Sequence, residues 1–64
     1  MADGYRYGVR FPDGSVTSPW NGRTQRVHAE RAAVEWMLTY PNDRIEAVRA
    51  LPDGPWETYD VGQP

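Results

Sequence analysis

Few side chains in this 64-residue chain belong to the types that catalysis or metal binding draws on. His28 is the single histidine and there is no cysteine, so a Cys-based zinc site is excluded. A catalytic histidine needs a nucleophile and an orienting acid beside it. His28 has instead Arg31 and Glu35 as neighbours on a polar helix face. Ser15 and Ser18 fall in or near a hairpin, where serine is ordinary turn material. Asp13 and Asp53 are turn residues by type and place. Asp43, Glu46, Glu57 and Asp60 are scattered and do not match the spacing of a calcium loop. No phosphate-cradling glycine motif occurs, and so short a chain leaves little volume for a substrate pocket. The expectation is a protein that is not an enzyme and that needs no cofactor, metal or small-molecule substrate.

One constellation does suggest binding. Tyr5, Arg6, Tyr7 and Arg10 interleave aromatic and basic side chains near Trp20, a combination that single-stranded nucleic-acid platforms use for stacking and phosphate contact. The strand period, however, turns Tyr5 and Tyr7 with Val9 and Phe11 toward one face, and Arg6 and Arg10 toward the other. In the register expected for a three-residue hairpin, Val16 and Trp20 join Arg6 and Arg10, and Trp56 falls on the matching side of the second hairpin. A sheet face carrying Arg6, Arg10, Val16, Trp20 and Trp56 reads as a protein interface. A solvated surface and a nucleic-acid platform remain open beside it.

Composition narrows the choice. The net charge is −2 and all basic residues are arginine, a mild acidity that argues against a general nucleic-acid binder. The all-Arg usage, with abundant Ala, Gly, Pro and Trp, looks like the coding bias of a GC-rich genome. The first ten residues contain no apolar core of a signal peptide, and no apolar run is long enough to span a bilayer. Lack of cysteine fits the cytoplasm. A chain of this size buries only about 60% of its unfolded surface, so three Trp, four Tyr and one Phe, or self-association, must supply the stability.

The elements that position these residues follow from pattern and punctuation. Period-two alternation predicts a strand at about 4–11, Pro12-Asp13-Gly14 a hairpin loop with a bulge at Gly14, and a return strand at about 15–20. Asn21, Gly22 and Arg23 are turn-like, and Thr24 is suited to cap a helix. Helical periodicity runs to about Tyr40, where Pro41 ends it. Val48 to Gly54 echoes Val9 to Gly14 and predicts a second hairpin at about 44–51 and 55–61, with Arg49 opposite Glu57. Ile45, Ala47, Tyr59 and Val61 then share one face. A helix over residues 43–50 is the competing reading. The fold class expected is α+β, in ββαββ order: two β-hairpins flank one helix, which lies on one face of a four-stranded, mainly antiparallel sheet.

Around the helix, Trp36, Ala29, Tyr40, Ala33, Met37, Val34, Val27 and Leu38 fill an arc of about 200°. A surface helix needs a stripe of roughly 100°. Either the helix sinks deeply into a curled sheet, or one edge, Trp36 with Tyr40 and Ala29, packs on another chain. Arg26 and Glu30, four apart, can pair.

Three segments carry a resemblance: Tyr7 to Gly14, the helix core Ala29-Glu30-Arg31-Ala32-Ala33, and Gly54-Pro55-Trp56-Glu57. Together they resemble small uncharacterised proteins of actinobacteria and their phages. That resemblance implies a small cytoplasmic protein, an early phage product acting on a host partner, and it supplies no catalytic residues. The leading expectation is a protein-interaction module, binding a protein partner or forming a homodimer through Arg6, Arg10, Val16, Trp20 and Trp56 or through the Trp36–Tyr40 edge. A nucleic-acid-binding or DNA-mimic regulator is the alternative. No membrane association is expected.

Overall fold

In the computed structural model, which describes residues 4–20 and 24–61, β1 is Arg6–Arg10, β2 Val16–Thr17, α1 Gln25–Thr39, β3 Glu46–Ala50 and β4 Glu57–Thr58. The polar lead at residues 1–3, the turn expected at residues 21–23 and the last three residues lie outside the described part. The protein is a small α+β fold, one helix with a four-stranded antiparallel sheet in the order β2-β1-β3-β4. The 46–50 segment is a strand, not a helix.

Two local features build the first hairpin. Phe11 C=O accepts the Gly14 N–H at 2.9 Å, Phe11 N–H donates to Ser15 C=O at 2.8 Å, and Gly14 adopts φ +90°. That left-handed conformation is open to glycine at no steric cost. Asp13 Oδ1 accepts both the Ser15 N–H at 2.9 Å and the Ser15 hydroxyl at 2.7 Å. The hydroxyl first, and then the backbone N–H, hold the Asp13 carboxyl below its ordinary range. In the second Pro-Asp-Gly the Gly54 N–H donates to Leu51 C=O at 2.9 Å, but Gly54 has no left-handed φ. The echo is therefore one of sequence and of the first turn bond, and it stops short of the bulge.

The strands alternate as their period requires. Val9 lies opposite Ala47, Tyr7 opposite Arg49, and Arg49 opposite Glu57. Val9, Ile45 and Ala47 form a buried cluster with Ala33 of α1, and Phe11, Met37, Tyr59 and Val61 pack on it. Alanine at positions 29 and 33, 1% and 0% exposed, lets the helix backbone lie close to the sheet. Ala29 thus belongs to the chain's own core, a correction to its expected place on a contact edge.

Pro41 cannot continue the helix, and Tyr40 closes it by donating its N–H to Trp36 C=O at 2.8 Å. At the other end Thr24 occupies the N-cap position but its hydroxyl makes no capping bond. Its φ and ψ of −100° and 6° lie away from the β region in which a cap side chain reaches back to the first turn.

Candidate interaction surfaces

The two faces of the sheet are both covered, by different means. On the helix side, an aromatic and ionic cluster closes the N-terminal end of α1. Tyr7 meets Tyr59 edge-on at 5.7 Å and Tyr5 at 6.3 Å. The Arg49 guanidinium lies 4.6 Å from the Tyr5 ring and 5.2 Å from that of Tyr59, and that of Arg26 lies 5.5 Å from Tyr7. Arg49 Nε donates to Glu57 at 3.0 Å, Arg26 Nε to Glu30 at 3.1 Å, and the Tyr59 hydroxyl to the same Glu30 oxygen at 2.7 Å.

Burial first, and the bond to Glu30 second, push the Tyr59 phenol well above the ordinary tyrosine range. The folded chain therefore holds this proton longer than the unfolded chain does. The stabilisation is complete below the unfolded pKa of about 10 and is lost as pH rises beyond it. In an ultraviolet phenolate titration, Tyr59→Phe should remove a step that falls above the ordinary tyrosine range. The variant should cost about 1 kcal/mol at neutral pH, because Glu30 keeps Arg26 as a partner.

The opposite face is the one on which Arg6, Arg10, Val16 and Trp56 were expected, and the structure brings these four together there. Arg10 lies opposite Glu46 and Val16, Gly8 opposite Val48, and Arg6 opposite Ala50. The β3–β4 register carries Trp56 to the same row as Ala50 and Arg6. The Arg6 guanidinium stacks 4.8 Å from the Trp56 ring centroid. Arg10 spans two rows to donate to the Trp56 C=O at 3.2 Å, so its stem crosses the row of Gly8 and Val48. Val48 is 0% exposed although it points away from the helix. Arg6 stays exposed and Arg10, Val16 and Trp56 are half-buried, so the chain's own side chains cover the middle of this face. Arginine stems and a tryptophan ring serve as its cover.

Trp20 does not join this face, and here the expectation is corrected. It is half-buried and packs on the helix-side cluster. The reason lies in β2, which pairs only through Val16 and Thr17. At Ser18 the side-chain hydroxyl, not the backbone, donates to Tyr7 C=O at 2.6 Å, and Pro19 has no N–H to continue the ladder. Alternation stops there, and the chain carries Trp20 around the sheet edge.

The Trp36–Tyr40 edge lies at the C-terminal end of α1. Phe11, Trp36 and Tyr40 form a row with ring centroids 4.6 Å and 5.9 Å apart, and Trp36 and Tyr40 remain 42% and 49% exposed. The row is anchored at Phe11 and open outward. The exposure of Val27, Val34 and Leu38 is a second feature. Their place in a wide apolar arc was visible, but their side of the helix depended on which alanines met the sheet. His28 is exposed. Among the described residues no group of three or more His, Asp or Glu could hold a metal, and no helix is long and apolar enough to cross a membrane. No family model matches the chain, and neither a curated protein nor a solved structure matches it at the significance required.

Proposed function

We propose that this chain is a protein-interaction module, a binder and not a catalyst, whose contact surface is α1 and the aromatic edge at its C-terminal end. One observation supports the reading: apart from Leu51, every exposed large hydrophobic side chain among the described residues lies between Val27 and Tyr40. Aromatic side chains anchored on a rigid element and open outward suit the centre of a protein interface. The ββαββ order would give such a module a stiff platform, two hairpins behind a single presented helix. A small phage-type regulator that binds a host protein or its own copy is the role this reading fits.

Purified protein immobilised from its N-terminus tests it against lysate of the source cell. A captured protein that binds again in pure form, and is lost with Trp36→Ala and Tyr40→Ala but kept with Leu51→Ala, is the expected result. A gel shift with single- or double-stranded DNA at low salt is expected to show nothing, since Arg10 is bonded to the Trp56 carbonyl and Arg6 is stacked on its ring. A shift that falls steeply with salt and is lost with Arg6→Ala and Arg10→Ala would replace this reading with a nucleic-acid regulator.

A further inference from the structure

The back of α1 carries a second surface. Val27, Val34 and Leu38 are 56%, 40% and 77% exposed. At about 100° per residue they fall within an arc of roughly 40°, almost opposite the buried pair Ala29 and Ala33. Arg31 sits between them, so Val27, Arg31, Val34 and Leu38 follow one another at spacings of four, three and four. That is the seam spacing of paired helices, in which every position of the series meets a facing helix. The seam is about 16 Å long. It faces away from the sheet, so a partner helix can lie along it without meeting the strands.

We propose that the occupant of this seam is α1 of a second copy of the chain, packed antiparallel about a two-fold axis. The proposal rests on the reading of α1 as contact surface and assigns it a second, separate patch. Charge decides the partner and its direction. In a parallel pair Arg31 would face Arg31, placing like charges at the centre of the contact. In the antiparallel pair Val27 faces Leu38 of the second copy and Arg31 faces its Val34. The Arg31 guanidinium then reaches Glu35 of that copy, which adjoins Val34 in sequence. The two-fold repeats each contact, giving two such ion pairs. Arg31 and Glu35 are both exposed, and among the described residues no hydrogen bond or ion pair engages either side chain. Glu30, the other acidic residue near the seam, is already held by Arg26 and Tyr59. The Arg31 stem adds its own apolar cover between the two valines.

Sedimentation equilibrium of the full chain, up to about 1 mM so that even a dimer with Kd near ~100 μM is populated, is the test. The expected result is a monomer–dimer equilibrium weakened about tenfold or more by Leu38→Glu and by Val34→Glu, with far-ultraviolet circular dichroism unchanged. Arg31→Glu and Glu35→Arg should each weaken it about fivefold, while an equimolar mixture of these two variants should assemble at least as tightly as wild type. That mixture does not depend on whether a glutamate at position 38 is tolerated by the fold, and an ion pair within one helix cannot produce it. A chain that stays monomeric at about 1 mM overturns the proposal. So does a dimer indifferent to Leu38→Glu, or one lost only with Trp36→Ala. The last outcome would place the self-contact on the aromatic edge and leave the protein-binding reading standing. Dimerisation by the seam together with a failed partner capture would do the reverse.

Discussion

Gly8→Val should pull β2 away from β1 and destabilise the fold by about 2–3 kcal/mol, with Gly8→Ala costing about half as much. A Cβ at this position would sit 2.8 Å from the Thr17 carbonyl oxygen, 3.1 Å from a Val16 methyl and 3.3 Å from Ser18 Cβ. The first contact is with backbone, so no rotamer change relieves it. The whole edge strand has to move. Against this stands the ordinary gain from replacing a strand glycine, about 0.5–1 kcal/mol. The clash should win, because β2 is held by two residue pairs, the Phe11–Ser15 backbone bond and the Ser18 hydroxyl. Urea unfolding followed by circular dichroism measures the cost, and amide exchange at Val16 and Thr17 locates it. A stabilised Gly8→Ala would mean that β2 does not lean over this glycine. In a domain whose core rarely supplies more than about 3–5 kcal/mol, the valine variant should keep about 0–3 kcal/mol, so that at the low end about half of the chains are unfolded at room temperature.

Trp56→Ala should be of similar size, about 2–3 kcal/mol, toward the low end of Trp→Ala costs because the ring is only half-buried. The loss has two parts. The indole no longer covers Ala50, which is 1% exposed on the face away from the helix, and Arg6 loses the ring it stacks on at 4.8 Å. The stacking alone is worth about 0.5–1 kcal/mol, so Arg6→Ala should show that fraction and no more. Trp36→Ala provides the contrast. It removes a 42% exposed ring whose aromatic neighbours are Phe11 and the likewise exposed Tyr40, and should cost about 1 kcal/mol. Midpoints of urea unfolding for the three variants, compared at equal slope, check the ranking. If Trp36→Ala were the more costly, the aromatic edge would be serving the core, and its availability to a partner would fall with it.

Much of the scaffold was legible because local rules decided it. The alternation from Tyr5 to Phe11 turned Tyr7 and Val9 inward, Pro41 stopped the helix at Tyr40, and turn chemistry at Pro52-Asp53-Gly54 set Arg49 opposite Glu57. What stayed hidden was decided by contacts far apart in sequence. The cover over Val48 depends on Arg10 reaching the carbonyl of Trp56, 46 residues away, and no period reports that reach. Trp20 was misplaced because a parity count assumes a strand that continues, whereas β2 ends after Thr17 and a serine hydroxyl takes over. The helix arc showed that apolar surface exceeded what one sheet face needs. It could not show which residues were the excess until Ala29 and Ala33 were seen against the sheet.

The brevity of β2 and β4 has a consequence for how copies of this chain can meet. Each margin of the sheet is a strand of two residues, and Pro19 and Pro55 stand just beyond them. A long, flat margin would offer a row of free backbone donors and acceptors on which further chains could add without limit. Here there is scarcely one rung to template, so open-ended cross-strand growth is blocked at both sides. Association through side chains on the helix, as proposed for the back of α1, would close on itself about a two-fold axis and stop at two.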